Sequence, residues 1–239
     1  MSRLLELSNG RWAHASGALW LPAEGALLIA DAHLGYGWAQ RRRGELGPVT
    51  DGAMAGRLTN LLDELTPRTL IFLGDLVHAP HPVPAEHRAI AEVLALVAAR
   101  AALVIVRGNH DRGFARDFGA LGYAVVPEWR CAGVLAVHGD RLPPVVDEHL
   151  VVGHFHPALT LRDAAGAKRR IPVFAFTGHT TILPAFSPYA AGTDLLRHWT
   201  PPLAAALGSG PVRVAACNGK RIAEIPFRRP NSKAQNHPA

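Results

Sequence analysis

Short aliphatic runs recur along the chain, and most stop at a glycine or a ligand-type polar residue. Leu27 to Ala30 ends in Asp31-Ala32-His33, Leu70 to Leu73 in Gly74-Asp75, and Leu103 to Val106 leads into Gly108-Asn109-His110-Asp111. Val134 to Val137 ends in His138-Gly139-Asp140, and Leu150 to Val152 in Gly153-His154-Phe155-His156. Runs this short and this apolar read as buried strands rather than helices. Between the first three lie Met54–Glu64 and Ala85–Arg100, whose apolar residues recur at helical spacing, with Pro84 suited to a helix start. A β-α-β-α-β order predicts parallel strands joined by crossovers, with ligands bound at the carboxyl ends of the strands. Every polar motif named above falls at such an end. After Leu150 come strands without long helices, over Ile171–Thr177, Val212–Cys217 and Arg221–Pro226. These predict a mostly antiparallel second sheet packed on the first.

Composition narrows the setting. A chain of 239 residues, 49% hydrophobic, can bury one sizeable core, so one domain is expected over residues 1–227. The polar, basic stretch 228–239 is expected to be a disordered tail. No apolar run reaches the roughly 18 residues of a membrane span, and residues 1–12 lack the apolar centre of a signal peptide. A cytoplasmic protein without membrane contact is expected. Cys131 and Cys217 lie far apart and outside any CxxC pattern, which suggests neither a disulfide framework nor a thiolate metal site. The formal charge of +6, with basic residues grouped at Arg41–Arg43, Lys168–Arg170, Lys220–Arg221 and Arg228–Arg229, permits a polyanionic partner. The Arg41–Arg43 run follows Asp31 and His33 closely, and its loop is expected at the rim of the site. Trp38 beside it is expected to pack the loop rather than to stack on a base.

The strand ends supply Asp31, His33, Asp75, Asn109, His138, His154 and His156, all of metal-ligand type. Asp31 and His33 are two apart, as are His154 and His156, and in extended chain that spacing turns both side chains to one side. Imidazoles favour transition ions such as Mn, Fe or Zn, while carboxylate and amide oxygens keep harder ions possible. One carboxylate can bridge two ions roughly 3.5–4 Å apart, and Asp75 is the candidate. Two divalent ions, less Asp31, Asp75 and a bridging hydroxide, leave a net positive charge to hold a phosphate. No serine, cysteine or lysine nucleophile is then required. His110 is expected to protonate the leaving alkoxide or to stabilise charge on the phosphate, with Asp111 orienting its ring or keeping it protonated. His78 and His179 are candidates for supporting roles near the site.

These blocks, in this order, resemble the five signature blocks of the calcineurin-like metallophosphoesterases. The resemblance implies a four-layer α/β/β/α sandwich of two mixed sheets. It also implies one metal held by Asp31, His33, Asp75 and His156, and a second held by Asp75, Asn109, His138 and His154, with His110 as catalytic acid and Asp111 as its partner. A narrower set, Asp31-Ala32-His33-Leu34-Gly35 with Arg41–Gly44, Gly74–His78 and Leu183-Pro184-Ala185-Phe186, is similar to the bacterial ligase-associated DNA-damage-response endonucleases. That likeness implies a manganese-dependent phosphodiesterase acting on DNA or RNA in DNA repair, functionally linked with a DNA ligase and a helicase. A phosphomonoesterase or nucleotide hydrolase on the same centre is the alternative. A non-catalytic scaffold is disfavoured because all seven ligand-type residues are retained.

Overall fold

A computed structural model of the chain describes residues 2–48, 51–144, 147–162 and 165–230. Its first sheet contains β1 (Leu4–Ser8), β2 (Arg11–His14), β3 (Leu19–Leu21), β4 (Ala26–Ile29), β5 (Thr69–Leu73), β6 (Ala102–Val106) and β7 (Ala124–Val126), adjacent in that order. Pairings are antiparallel from β1 to β4 and parallel from β4 to β7. The helices α1 (Tyr36–Arg42) and α2 (Asp51–Leu65) lie between β4 and β5, and α3 (Pro84–Ala98) between β5 and β6. A short α4 (Phe114–Phe118) follows β6. The parallel unit and both long helices stand where the hydrophobic pattern put them. The antiparallel strands β1 to β3 were not anticipated, because they are short and carry polar residues on an edge.

The second sheet comprises β8 (Trp129–Cys131), β9 (Val134–Val137), β10 (His149–Val152), β11 (Pro157–Arg162), β12 (Lys168–Phe176), β13 (Thr180–Ile182), β14 (Thr193–Asp194), β15 (Arg213–Cys217) and β16 (Ile222–Ile225). It is mixed: β9, β10 and β13 run parallel, while β8–β9, β11–β12, β12–β13, β12–β15 and β15–β16 are antiparallel. A final helix α5 (Pro201–Leu207) begins at Thr200, whose hydroxyl caps it by accepting from the Leu203 N–H, with Pro201 in its first turn.

Alternation along the strands builds the layers. Leu27, Ile29, Leu70, Phe72, Leu103 and Ile105 face α2 and α3, meeting Leu58, Leu61, Leu62, Ile90, Val93, Leu94 and Val97. The intervening Leu28, Ala30, Ile71, Leu73 and Val106 point the other way and meet Ala136, Val151, Phe174, Phe176 and Ala215 of the second sheet. Behind that sheet, Leu135, Val137, Val152, Val173, Ala175 and Val214 pack on Leu203, Ala206 and Leu207 of α5. Both faces of each central strand are therefore buried, which is why those strands are continuously aliphatic. The result is an α/β/β/α sandwich whose central apolar layer lies between the sheets.

Of the expected tail, residues 231–239 lie outside the described residues. Its beginning is docked: the Arg229 guanidinium lies 4.4 Å from the Trp199 ring and donates to the Gly208 carbonyl at 2.7 Å. Among the described residues no helix is long and apolar enough to cross a membrane.

Candidate metal centre

The turns that follow β4 and β5 are laced together by backbone hydrogen bonds. The Asp31 N–H donates to the Gly74 carbonyl (3.1 Å), His33 N–H to Asp75 (2.9 Å) and Leu34 N–H to Leu76 (2.8 Å). The second sheet is tied to the same place, since Phe186 N–H donates to Ala30 (2.7 Å) and Ser187 N–H to Asp31 (3.1 Å). Within these turns Asp31, His33, Asp75, His154 and His156 have φ of 56, 48, 49, 63 and 45°. Side chains other than glycine seldom adopt this left-handed region, and holding them there stores strain. The i, i+2 pairs thus converge through left-handed turns, not through extended chain as their spacing suggested. Gly74 has φ 76°, and a Cβ on it would lie 2.2 Å from His138 Nδ1; only glycine fits.

The seven side chains come together in two groups. In the first, donor atoms of Asp31, His33 and His156 lie within 4.8 Å of one another; in the second, those of Asp75, His138 and His154 do. Around His138 Nε2 stand His154 Nδ1 at 3.1 Å, Asn109 Oδ1 at 3.1 Å and Asp75 Oδ1 at 3.4 Å. His138 Nδ1 faces the Leu73 carbonyl at 3.1 Å, which makes Nδ1 the donor to the backbone and leaves Nε2 facing the site. One imidazole cannot satisfy three electron-rich neighbours. Ligand atoms about 2.0–2.2 Å from a common ion are spaced by about 3.0–3.4 Å at tetrahedral to octahedral angles, which is the spacing found. In the other group, Asp31 Oδ1 and His156 Nε2 are buried without a hydrogen-bond partner and face each other at 3.1 Å. Orphaned buried atoms of complementary ligand type are what a metal site leaves when only protein atoms are considered. The donor set fits two divalent ions.

A model of the calcineurin-like phosphoesterase family matches residues 26–208, a span that contains all seven of these residues. The chain belongs to that family. Among solved structures it is similar to the Pseudomonas putida nuclease MPE, at 28% identity and a TM-score of 0.66, covering 90% of this chain and 94% of that one. It also matches Yfce, a phosphoesterase from E. coli, at 18% identity and a TM-score of 0.40, over 84% of this chain and 91% of that one. No curated protein matches the sequence. Calcineurin-like phosphoesterases use a binuclear metal centre, and this chain is a metal-dependent phosphoric ester hydrolase.

Electrostatics in the phosphoesterase centre follow from burial against paired charge. Asp31, His33, Asp75 and His138 are all buried. Burial opposes charge on His138, but the Asp75 hydrogen bond and the charges of Asp31 and Asp75 outweigh it and push its pKa up to about 9. Burial likewise opposes ionisation of Asp75, yet its bonds to His138 and to the His110 N–H bring it down to about 2. At His33 burial wins over Asp31 and Asp75, and the pKa falls to about 4. The Asp75 charge acts on His33 and His156 of the first group and on His138 and His154 of the second, as a carboxylate between the two would.

His110 stands at the rim. Its N–H donates to Asp75 Oδ1 at 2.9 Å, and its Nε2 lies 3.9 Å from Asp75 Oδ2. Its Nδ1 faces the His78 carbonyl at 2.8 Å. Asp111 departs from its expected role. Its buried carboxylate accepts from Gly108 N–H (3.0 Å) and Val77 N–H (3.1 Å), so it holds the loop rather than the His110 ring. Burial raises its pKa to about 6 despite those bonds. The orienting group for His110 is instead a backbone carbonyl, for which sequence carries no signal.

His78 reaches the site, its Nδ1 3.4 Å from that of His33 and its ring 5.8 Å from that of His110. Tyr36 packs against His78 at 4.9 Å and stacks on Tyr189 at 5.2 Å; this aromatic pair was not anticipated, since Tyr189 comes from a distant loop. His179 is held through its backbone, its N–H donating to Thr177 Oγ1 and its carbonyl accepting from the Leu150 N–H. The Arg41–Arg43 run stands near the site, where the charges of Arg43 and Arg42 act on His78, but it closes a helix rather than lying in a loop. Arg41 and Arg42 end helix α1, and their guanidiniums are engaged, Arg42 with Glu86 and the His81 carbonyl, Arg41 with the Gly47 carbonyl and the Trp38 face. Trp38 donates to Asp51 and packs the segment, as expected.

Proposed function

We propose that this phosphoesterase is a manganese-dependent phosphodiesterase that cleaves nucleic acid. The observation that carries the reading is the cluster around His138 Nε2, where two oxygen donors and one nitrogen donor stand 3.1–3.4 Å away, more than one imidazole N–H can serve. Asp31, His33, Asp75 and His156 would hold one ion, and Asp75, Asn109, His138 and His154 the other. Two divalent ions supply positive charge for the phosphoryl oxygens and an activated attacking water. The chain's own residues do the rest. With Nδ1–H donated to the His78 carbonyl, His110 presents Nε2 to the centre. From there it hands a proton to the leaving oxygen as the bond from phosphorus to that oxygen breaks. Asp111 keeps the Gly108–His110 turn in place through its two backbone bonds. The likeness to a nuclease over most of both chains supports a diester of nucleic acid as substrate. A functional link to a DNA ligase and a helicase belongs to the same reading and rests on the narrower resemblance.

The test is turnover with Mn²⁺ of bis(4-nitrophenyl) phosphate, of 4-nitrophenyl phosphate and of DNA. Diester and DNA cleavage, with the monoester turned over at least tenfold more slowly, is expected. Preference for the monoester would replace this reading with a phosphomonoesterase on the same centre.

A further inference from the structure

A groove of about 640 Å³ opens beside the second donor group, with Asn109 and His138 themselves among its lining residues. Arg107, Arg112 and Arg141 also line it. Each is tied to the centre by chain connectivity: Arg107 directly precedes Gly108-Asn109, Arg112 is two residues after His110, and Arg141 is three after His138. Three residues of chain span at most about 11 Å, so all three backbones lie close to the site. The arginines come from two connections, Arg107 and Arg112 between β6 and α4 and Arg141 after β9, and they line one groove.

Their charges are uncompensated. Arg3, Arg42, Arg100, Arg116, Arg130, Arg197 and Arg213 each have a carboxylate partner. None of Arg107, Arg112 and Arg141 makes a side-chain hydrogen bond or ion pair among the described residues. Of the two acids in the groove, Glu128 is already bound by Arg130 at 2.8 Å, which leaves Asp140. Three guanidiniums gathered around one free carboxylate repel one another until an anion enters, and the guanidinium fork matches phosphate oxygens in pairs.

We propose that this groove holds the backbone phosphates that flank the scissile one in a nucleic-acid strand, with Arg107, Arg112 and Arg141 as the contacts. The inference rests on the phosphodiesterase reading and extends it. Two guanidiniums of the basic run at the end of α1 are engaged within the chain, whereas the three lining the groove are open to an anion. A small diester has nothing to place there, whereas a strand does.

The variant Arg107→Ala/Arg112→Ala/Arg141→Ala tests it. Two measurements are needed: Mn²⁺-dependent kcat/KM on bis(4-nitrophenyl) phosphate and on a 20-nucleotide single strand, and anisotropy binding of a fluorescent strand in EDTA. DNA and RNA strands of one sequence distinguish the two polymers. The expected loss on the strand exceeds that on the aryl diester by at least tenfold, and binding weakens. The dependence of log K on log salt should flatten by about two for three lost phosphate contacts. Arg68→Ala/Arg100→Ala, just before β5 and β6 at the strand ends away from the centre, should leave strand cleavage within twofold. Equal losses on both substrates, or strand binding unchanged, would overturn the groove assignment. Failure of the wild-type protein to cleave any diester would instead overturn the phosphodiesterase reading itself.

Discussion

The first sheet brings Asp31, Asp75 and Asn109 to the centre, so every oxygen donor comes from its strand ends, together with His33. The second sheet brings His138, His154 and His156, imidazoles only. The two also fix their groups differently. In the first, neighbouring turns are laced backbone to backbone, at 2.8–3.1 Å. In the second, imidazoles are aimed partly by atoms of the first sheet: Leu73 O faces His138 Nδ1 at 3.1 Å, and Asp31 Oδ2 accepts the His154 N–H at 3.0 Å. Negative charge and scaffold thus come from one sheet. Three of the four softer imidazole donors, which transition ions favour, come from the other.

Removing the shared carboxylate should break this division most severely. Asp75→Ala takes away the charge that acts on both groups. We expect loss of metal from both, and a fall in hydrolysis beyond the roughly 10–100-fold typical when an outer partner of a ligand is removed. Metal analysis and diester turnover check it, and two ions per chain with normal turnover would refute the bridging role. A second variant probes an imidazole of the first sheet that the comparison leaves outside the donor set. His110→Ala should keep its metal and lose about 10²–10⁴ in rate, with a smaller loss when the leaving group is already good. Metal loss here would make His110 a donor.

The mildest test concerns an imidazole of the second sheet at the far end of β10. His149 is buried, its Nε2 2.9 Å from Thr181 Oγ1, and burial, with Arg11, lowers its pKa from 6.5 to about 4. The unfolded chain takes up this proton first. The stability His149 contributes is therefore present above pH 6.5 and is lost as pH falls toward 4, on the order of 2 kcal/mol by pH 5. His149→Gln should keep metal and turnover and flatten that limb in urea unfolding at pH 7 and 5. An unchanged pH dependence would show that another group controls it.

Sequence made the parallel unit legible because its strands are buried on both faces, which leaves aliphatic runs such as Leu70–Leu73 with ligand-type residues at their ends. The helices were legible for the same reason, Ile90, Val93, Leu94 and Val97 lying at helical spacing on one buried face. Less could be read where position depends on distant chain. The strands β1 to β3 are short and edge-like, α1 hid behind its arginines, and the stacking of Tyr36 on Tyr189 joins segments far apart in sequence. The role of Asp111 was misread because adjacency to His110 says nothing about which backbone N–H groups its carboxylate meets. Arg107, Arg112 and Arg141 stand singly in the chain, so no basic run marks them.

The bond between His154 N–H and Asp31 joins residues 123 apart in the chain. A ribosome adding about 5–20 residues per second finishes β6 about 2–6 seconds before it adds His138. During that interval Asp31 and Asp75 have His33 as the one imidazole of the donor set beside them, a half-site poorer in the nitrogen donors that transition ions favour. The binuclear centre is therefore a product of the completed chain.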